Sequence, residues 1–222
     1  MQEYLHLLET EFTQNAHAKT AVAQAAYMKN NFLFLGIKTP LRREIQKPFL
    51  ITEFLPPKNK AYIIVKTLWQ KPEREFHYFA QELAFKYIKQ LEKDDILLFE
   101  YLITHQSWWD TVDIIAPKLV GAYFKKFPNE RDIYINQWLN SNNIWLQRSA
   151  ILFQLHYKNK LDTQMLSYII NELKGSREFF IKKAIGWMLR QYSRTNPSWV
   201  IDFVANTELS GLSSREALRL IK

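Results

Sequence analysis

Residues 148–157 read RSAILFQLHY, and residues 182–191 read KKAIGWMLRQ. A slide of 34 positions pairs Arg148 with Lys182, Ala150 with Ala184, Ile151 with Ile185 and Leu155 with Leu189. Both stretches space their apolar residues at helical period, so each predicts an amphipathic helix. Two helices plus turns every ~35–45 residues is the unit of TPR, HEAT and armadillo stacks. The TPR consensus is missing, which leaves a degenerate HEAT-like stack as the better match. Such stacks curve, and the curve offers a long concave surface to an elongated ligand.

The helical period extends outward from these two stretches. HLLETEF, KTAVAQAAYM, EFHYFAQELAFKYIKQL, DDILLFEYLITH and NIWLQRSAILFQLHYK all place apolar residues at i, i+3, i+4 and i+7. YIIVK at 62–66 is the best case for strand alternation, and it also fits a buried helix. Prolines at 40, 48, 56, 57, 72, 128 and 197, with asparagines around 140–143, punctuate the pattern. No linker or shift of composition marks a boundary. The expected architecture is a single all-α domain over 1–222, a HEAT-like helical-repeat solenoid with a concave basic face.

Composition narrows the function. The chain has 222 residues, 47% apolar and 23% charged, enough to bury a core and too apolar for wholesale disorder. The absence of cysteine excludes disulfides, zinc fingers, iron–sulfur ligation and thiol catalysis. Five glycines stand far apart, and no pair has the spacing of a phosphate-cradling loop. The opening MQEYLHLLET has no secretory pattern, and no run approaches the ~18 apolar residues of a membrane span. A soluble, cytoplasmic protein is expected. Net charge is +8 and unevenly spread. Residues 1–140 hold 18 Lys/Arg against 16 Asp/Glu, and residues 141–222 hold 12 against 6. That skew points to a polyanionic partner, nucleic acid first, although solvated charge on helical surfaces gives the same count.

Three segments carry candidate chemistry. In SWWDTVDIIAP (107–117), Ser107 and Asp110 have capping-box spacing, with Ser107 as the expected N-cap. Trp109 and Asp113 then share one helical face, where an indole and a carboxylate can together stabilise a cation. A core tryptophan beside a solvated aspartate is the plain alternative. Pro117 cannot donate to the carbonyl of Asp113, so the helix is expected to bend or restart there. In KKAIGWMLRQYSR (182–194), Lys183, Trp187, Arg190 and Arg194 form one stripe, and Ala184, Ile185, Met188 and Leu189 form the opposite, burying face. Cations around a tryptophan suit a phosphate-tracking surface with an aromatic reader.

Arg148 stands among Trp145, Ile151 and Leu152, where it either snorkels along the core edge or grips a phosphate or carboxylate. Tyr27, at the end of AVAQAAYMKN, fits a core or boundary position. The five histidines show no metal-ligand spacing, so neither a metal nor another cofactor is expected. His105 and Asp113 suggest a base pair of residues, but a histidine flanking a turn is ordinarily structural. No second carboxylate or hydrogen-bonding cluster suited to a base edge stands out beside Asp113.

Taken together, SWWDTVD, YMKNNFLFLGIKTPLRR (27–43), NIWLQRSAILFQLHYK (143–158), EFFIKKAIGWMLRQY (178–192) and LSSREALRLIK (212–222) resemble the AlkD family of DNA alkylation repair glycosylases over almost the whole chain. The resemblance implies a helical solenoid that holds duplex DNA and excises cationic N3- and N7-alkylated purines, without turning the base out of the stack. By the same resemblance, Asp113 is the catalytic carboxylate, Trp109 and Trp187 line the deoxyribose of the lesion, Arg148 grips the backbone beside it, and Tyr27 is a third aromatic of the cleft. Lys183, Arg190 and Arg194 would add phosphate contacts. The chain ends without a C-terminal tail that relatives carry, and a monomer is expected. The competing reading is a catalytically silent helical-repeat scaffold that binds DNA or protein; a peptide- or RNA-binding repeat is a third.

Overall fold

A computed structural model describes residues 1–221. Lys222, the last residue of the LSSREALRLIK stretch, lies outside the described residues. Among those residues the chain is all-helical, with no strand and one isolated bridge between Leu33 and Glu73. YIIVK falls inside the helix Lys58–Trp69, where Ile64, Val65 and Leu68 are buried. Ile63 in the same run is exposed, so burial follows the turn of the helix and not a period of two.

The chain forms two compact units, Met1–Gln90 and a second that begins at Leu91. The junction falls inside YIKQLEKDD, with no Pro-, Gly- or Ser-rich stretch to betray it. In the first unit Tyr4, Leu8 and Phe12 of the opening helix pack with Phe49, Phe76 and Phe79. The fully buried Glu75 accepts hydrogen bonds from the amides of Leu35, Gly36 and Ile37 at 3.0, 2.9 and 3.1 Å. A buried carboxylate needs such donors, and three amides satisfy it while fixing the loop. Tyr27 ends the helix Ala18–Tyr27 and is 70% exposed.

The second unit is a ladder of helix pairs. Taken in chain order, the pairs are Asp95–Thr104 then Trp109–Ile115, Pro128–Leu139 then Ile144–Leu152, Thr163–Leu173 then Phe179–Ser193, and Pro197–Asn206 then Gly211–Leu218. The second helices begin at 109, 144, 179 and 211, so the repeat seen in the sequence is present, but the step from 144 to 179 is 35 and sets Arg148 level with Lys183 rather than with Lys182. They pack in succession: 109–115 on 144–152, that helix on 179–193, and that in turn on 211–218. Each helix of the row buries an apolar stripe against its neighbours, as Ala184, Ile185, Met188 and Leu189 do on the longest one. The same position in each repeat therefore looks out on the same side of the row.

Candidate active site

Four charged residues stand at that repeated position: Asp113, Arg148, Lys183 and Glu216, separated by 35, 35 and 33 residues. One comes from each second helix, and all four line a single cleft of about 300 Å³ together with Trp109, Phe179, Phe180, Trp187 and Arg190.

The helix carrying Asp113 begins at Trp109, with Trp108 as its N-cap. Ser107 is not the cap: its hydroxyl donates to the carbonyl of Ile103 at 2.6 Å and so closes the preceding helix. Gln106, at φ +50°, makes the turn between the two. Trp109 and Asp113 do share one face, both on the cleft. At Pro117 the α-helix gives way to a π turn over Ala116–Val120, the restart that a missing amide requires.

Arg148 sits on the helix Ile144–Leu152, whose start is capped by Asn143 accepting from the amides of Trp145 and Leu146. Only 4% of Arg148 is exposed. Its Nε donates to Asp113 Oδ1 at 2.8 Å and its Nη2 to Asp113 Oδ2 at 2.9 Å, a fork-to-fork pair. Its Nη1 donates to the backbone carbonyl of Phe180. Of the options open in the sequence, Arg148 thus grips a carboxylate. Trp108, Trp145 and Phe180 pack ring to ring at 5.0–5.6 Å between centroids beside this pair.

Burial pushes the Asp113 carboxyl above the usual carboxylate range, with Asp110 adding repulsion, while the hydrogen bonds and charge of Arg148 pull it back down. Burial and pairing thus oppose one another at this group.

On the helix Phe179–Ser193, Lys183, Trp187 and Arg190 face the cleft as the stripe predicts, but Arg194 is the exposed C-cap and does not line it. Lys183 and Arg190 both bind Glu216, at 3.1 and 2.5 Å. Glu216 is the second carboxylate that the sequence reading did not find. The hydrogen bond from Lys183 first, then the charges of Lys183, Arg190 and Arg219, hold its pKa below the ordinary range. Gly186 makes this meeting possible. A Cβ there would lie 2.5 Å from Cβ of Glu216 and 3.0 Å from the carbonyl oxygen of Ser213. Gly186→Ala should therefore push the 211–218 helix outward and destabilise the protein by about 1–3 kcal/mol, read from denaturant unfolding.

Tyr27 belongs to the first unit. His105 stacks on Tyr101 at 4.2 Å, which accounts for it structurally.

The sequence pattern of the family described as DNA alkylation repair enzyme matches residues 8–221. The chain belongs to this DNA alkylation repair enzyme family. A solved structure described as a predicted DNA alkylation repair enzyme from Enterococcus faecalis is 33% identical, with a TM-score of 0.86 over 93% of this chain and 97% of that one. No curated protein matches the chain. In this DNA alkylation repair enzyme family member the cleft brings together two carboxylates, two indoles and three cations. None of its helices, among the described residues, is long and apolar enough to cross a membrane.

Proposed function

We propose that this family member is a DNA N-glycosylase that hydrolyses the N-glycosidic bond of cationic N3- and N7-alkylated purines in duplex DNA. The observation that carries the reading is the Asp113 carboxylate, locked in place by Arg148 and lining one cleft with Trp109 and Trp187.

An alkylated purine is already positively charged and leaves readily. As the bond to C1′ breaks, its electron pair goes to the purine nitrogen and neutralises the base. Positive charge passes to the sugar, in an oxocarbenium-like transition state of the kind met in glycoside hydrolysis. Water then bonds to C1′ and gives up a proton. Asp113 supplies the opposing charge and orients the water. Each carboxylate oxygen accepts one bond from Arg148, which leaves further lone-pair sites on both. The indole faces of Trp109 and Trp187 add cation–π stabilisation, and ~2 kcal/mol from a desolvated contact is about thirtyfold in rate.

Lys183 and Arg190 at the rim, Arg194 beyond the cleft and the spare N–H groups of Arg148 serve the phosphates, while Tyr27 serves the duplex from the first unit. The cleft walls carry no neutral amide or imidazole suited to a base edge, and both carboxylates are engaged by cations. That favours attack from the sugar side on a base left in the stack. Selectivity then comes from the charge of the lesion. The test is purified protein with duplex DNA carrying one 7-methylguanine or one uncharged hypoxanthine, scored for free base and abasic site. Release of 7-methylguanine alone is expected. Equal release of hypoxanthine overturns charge-driven selectivity, and release of neither leaves a DNA-binding scaffold.

A further inference from the structure

Glu216 has no step in the chemistry above, yet it is built into the cleft. It is the least exposed member of its cluster, at 16%, against 24% for Arg190 and 37% for Lys183. The two cations flank it in the same cleft. Gly186 lets the 211–218 helix sit in close contact with the Trp187 helix, which holds the Glu216 backbone near the two cations. Ser213 adds a latch by donating from its hydroxyl to the carbonyl of Lys182 at 3.0 Å.

The charge count follows. Asp113 and Arg148 cancel, and Lys183 with Arg190 and Glu216 leaves one net positive charge where two cations stand. An ammonium has three donors and a guanidinium five, so both cations keep donors for a phosphate after serving Glu216. A phosphate that docks on them meets the Glu216 anion beside them in the same cleft.

We propose that Glu216 is an internal counter-ion for Lys183 and Arg190, which weakens the hold of the cleft on the DNA backbone. The inference rests on the reading of Lys183 and Arg190 as phosphate contacts. Damaged and undamaged duplexes carry the same phosphates, so the counter-ion sets how tightly the cleft holds DNA of either kind. A cationic lesion also offers positive charge to Asp113, and that contact is untouched by Glu216.

The experiment is equilibrium binding to undamaged duplex across 50–200 mM salt, followed by fluorescence anisotropy, for wild type, Glu216→Gln and Glu216→Asp. Glu216→Gln should bind about three- to tenfold tighter at low salt, and its log–log salt slope should steepen by about one, the signature of one further phosphate neutralised. Glu216→Met, also uncharged and of similar length, should reproduce this. Glu216→Asp keeps the charge and should keep the wild-type slope. Unchanged or weaker binding by the uncharged variants overturns the proposal, as does a steepening in Glu216→Asp equal to theirs. The measurement needs no base release. A wild type that frees no base but shows this pattern removes the glycosylase reading alone; an active wild type whose DNA binding ignores position 216 removes the counter-ion alone.

Discussion

Asp113→Asn should lower the single-turnover release of 7-methylguanine by about 10²–10³-fold, the scale of removing one preorganised electrostatic partner from a transition state. Affinity for the duplex should be unchanged or higher, because a negative charge facing phosphates is lost. The asparagine keeps the shape of the side chain, and its carbonyl can still accept from Nε of Arg148 at the position of Oδ1. Its amide, however, faces the Nη2 donor that Oδ2 now receives. Some stability goes with the activity, so release must be measured well below the melting temperature. Release within tenfold of wild type would remove Asp113 from the chemistry. The pH profile adds a second signature. Because burial raises the Asp113 carboxyl, the anion is lost earlier on acidification than from a free aspartate, and the acid limb of the wild-type rate should lie above the ordinary carboxylate range.

Arg148→Met should have the largest effect on the fold. It removes the partner of a carboxylate whose side chain is 18% exposed, and also a donor to the carbonyl of Phe180. Breaking one side of a buried pair costs about 3–5 kcal/mol, which for a chain of this size is a fall in melting temperature on the order of 10 °C. The sign with pH is definite. Without Arg148 the two influences that lower the Asp113 carboxyl are gone, and its folded pKa rises further from the unfolded value. The folded state then binds the proton more tightly than the unfolded state, so stability falls as pH rises through that window and is regained below it. The melting deficit of Arg148→Met should therefore shrink on acidification, and the acid limb of any residual activity should move to higher pH. A deficit that widens in acid would mean that the pair does not govern this site.

Much of this site could be read within single helices. Trp109 and Asp113 are four residues apart, and Lys183, Trp187 and Arg190 fall at i, i+4 and i+7, so helical geometry alone puts each group on one face. The 34-residue slide likewise announced the ladder. What it did not announce was pairing between rungs. Arg148 reads equally well as a phosphate or a carboxylate ligand until the neighbouring helix is in place, and Asp113 then takes it. Glu216 was hidden for the same reason. Nothing in LSSREALRLIK marks its glutamate, although two signals were present: an interior glycine at 186, which invites a close neighbour, and the 35-35-33 spacing of 113, 148, 183 and 216. The capping-box reading of Ser107 failed because that hydroxyl serves the preceding helix, and local spacing cannot say which of two adjoining helices a serine will serve.

The wide turn at Ala116–Val120 also sets a rule for how this site is inherited. Each residue of an α-helix swings the chain by about 100°, and a π turn absorbs one residue more than an α turn. Downstream, Tyr123 and Phe124 are locked in the core. The direction of the Asp113 side chain relative to Tyr123 and Phe124 is consequently set by how many residues the wide turn takes up, rather than by which they are. Loss of one residue there can be met by the turn closing to an ordinary α turn, with the carboxylate aimed as before, whereas a further inserted residue has no such outlet and would swing it off its bearing.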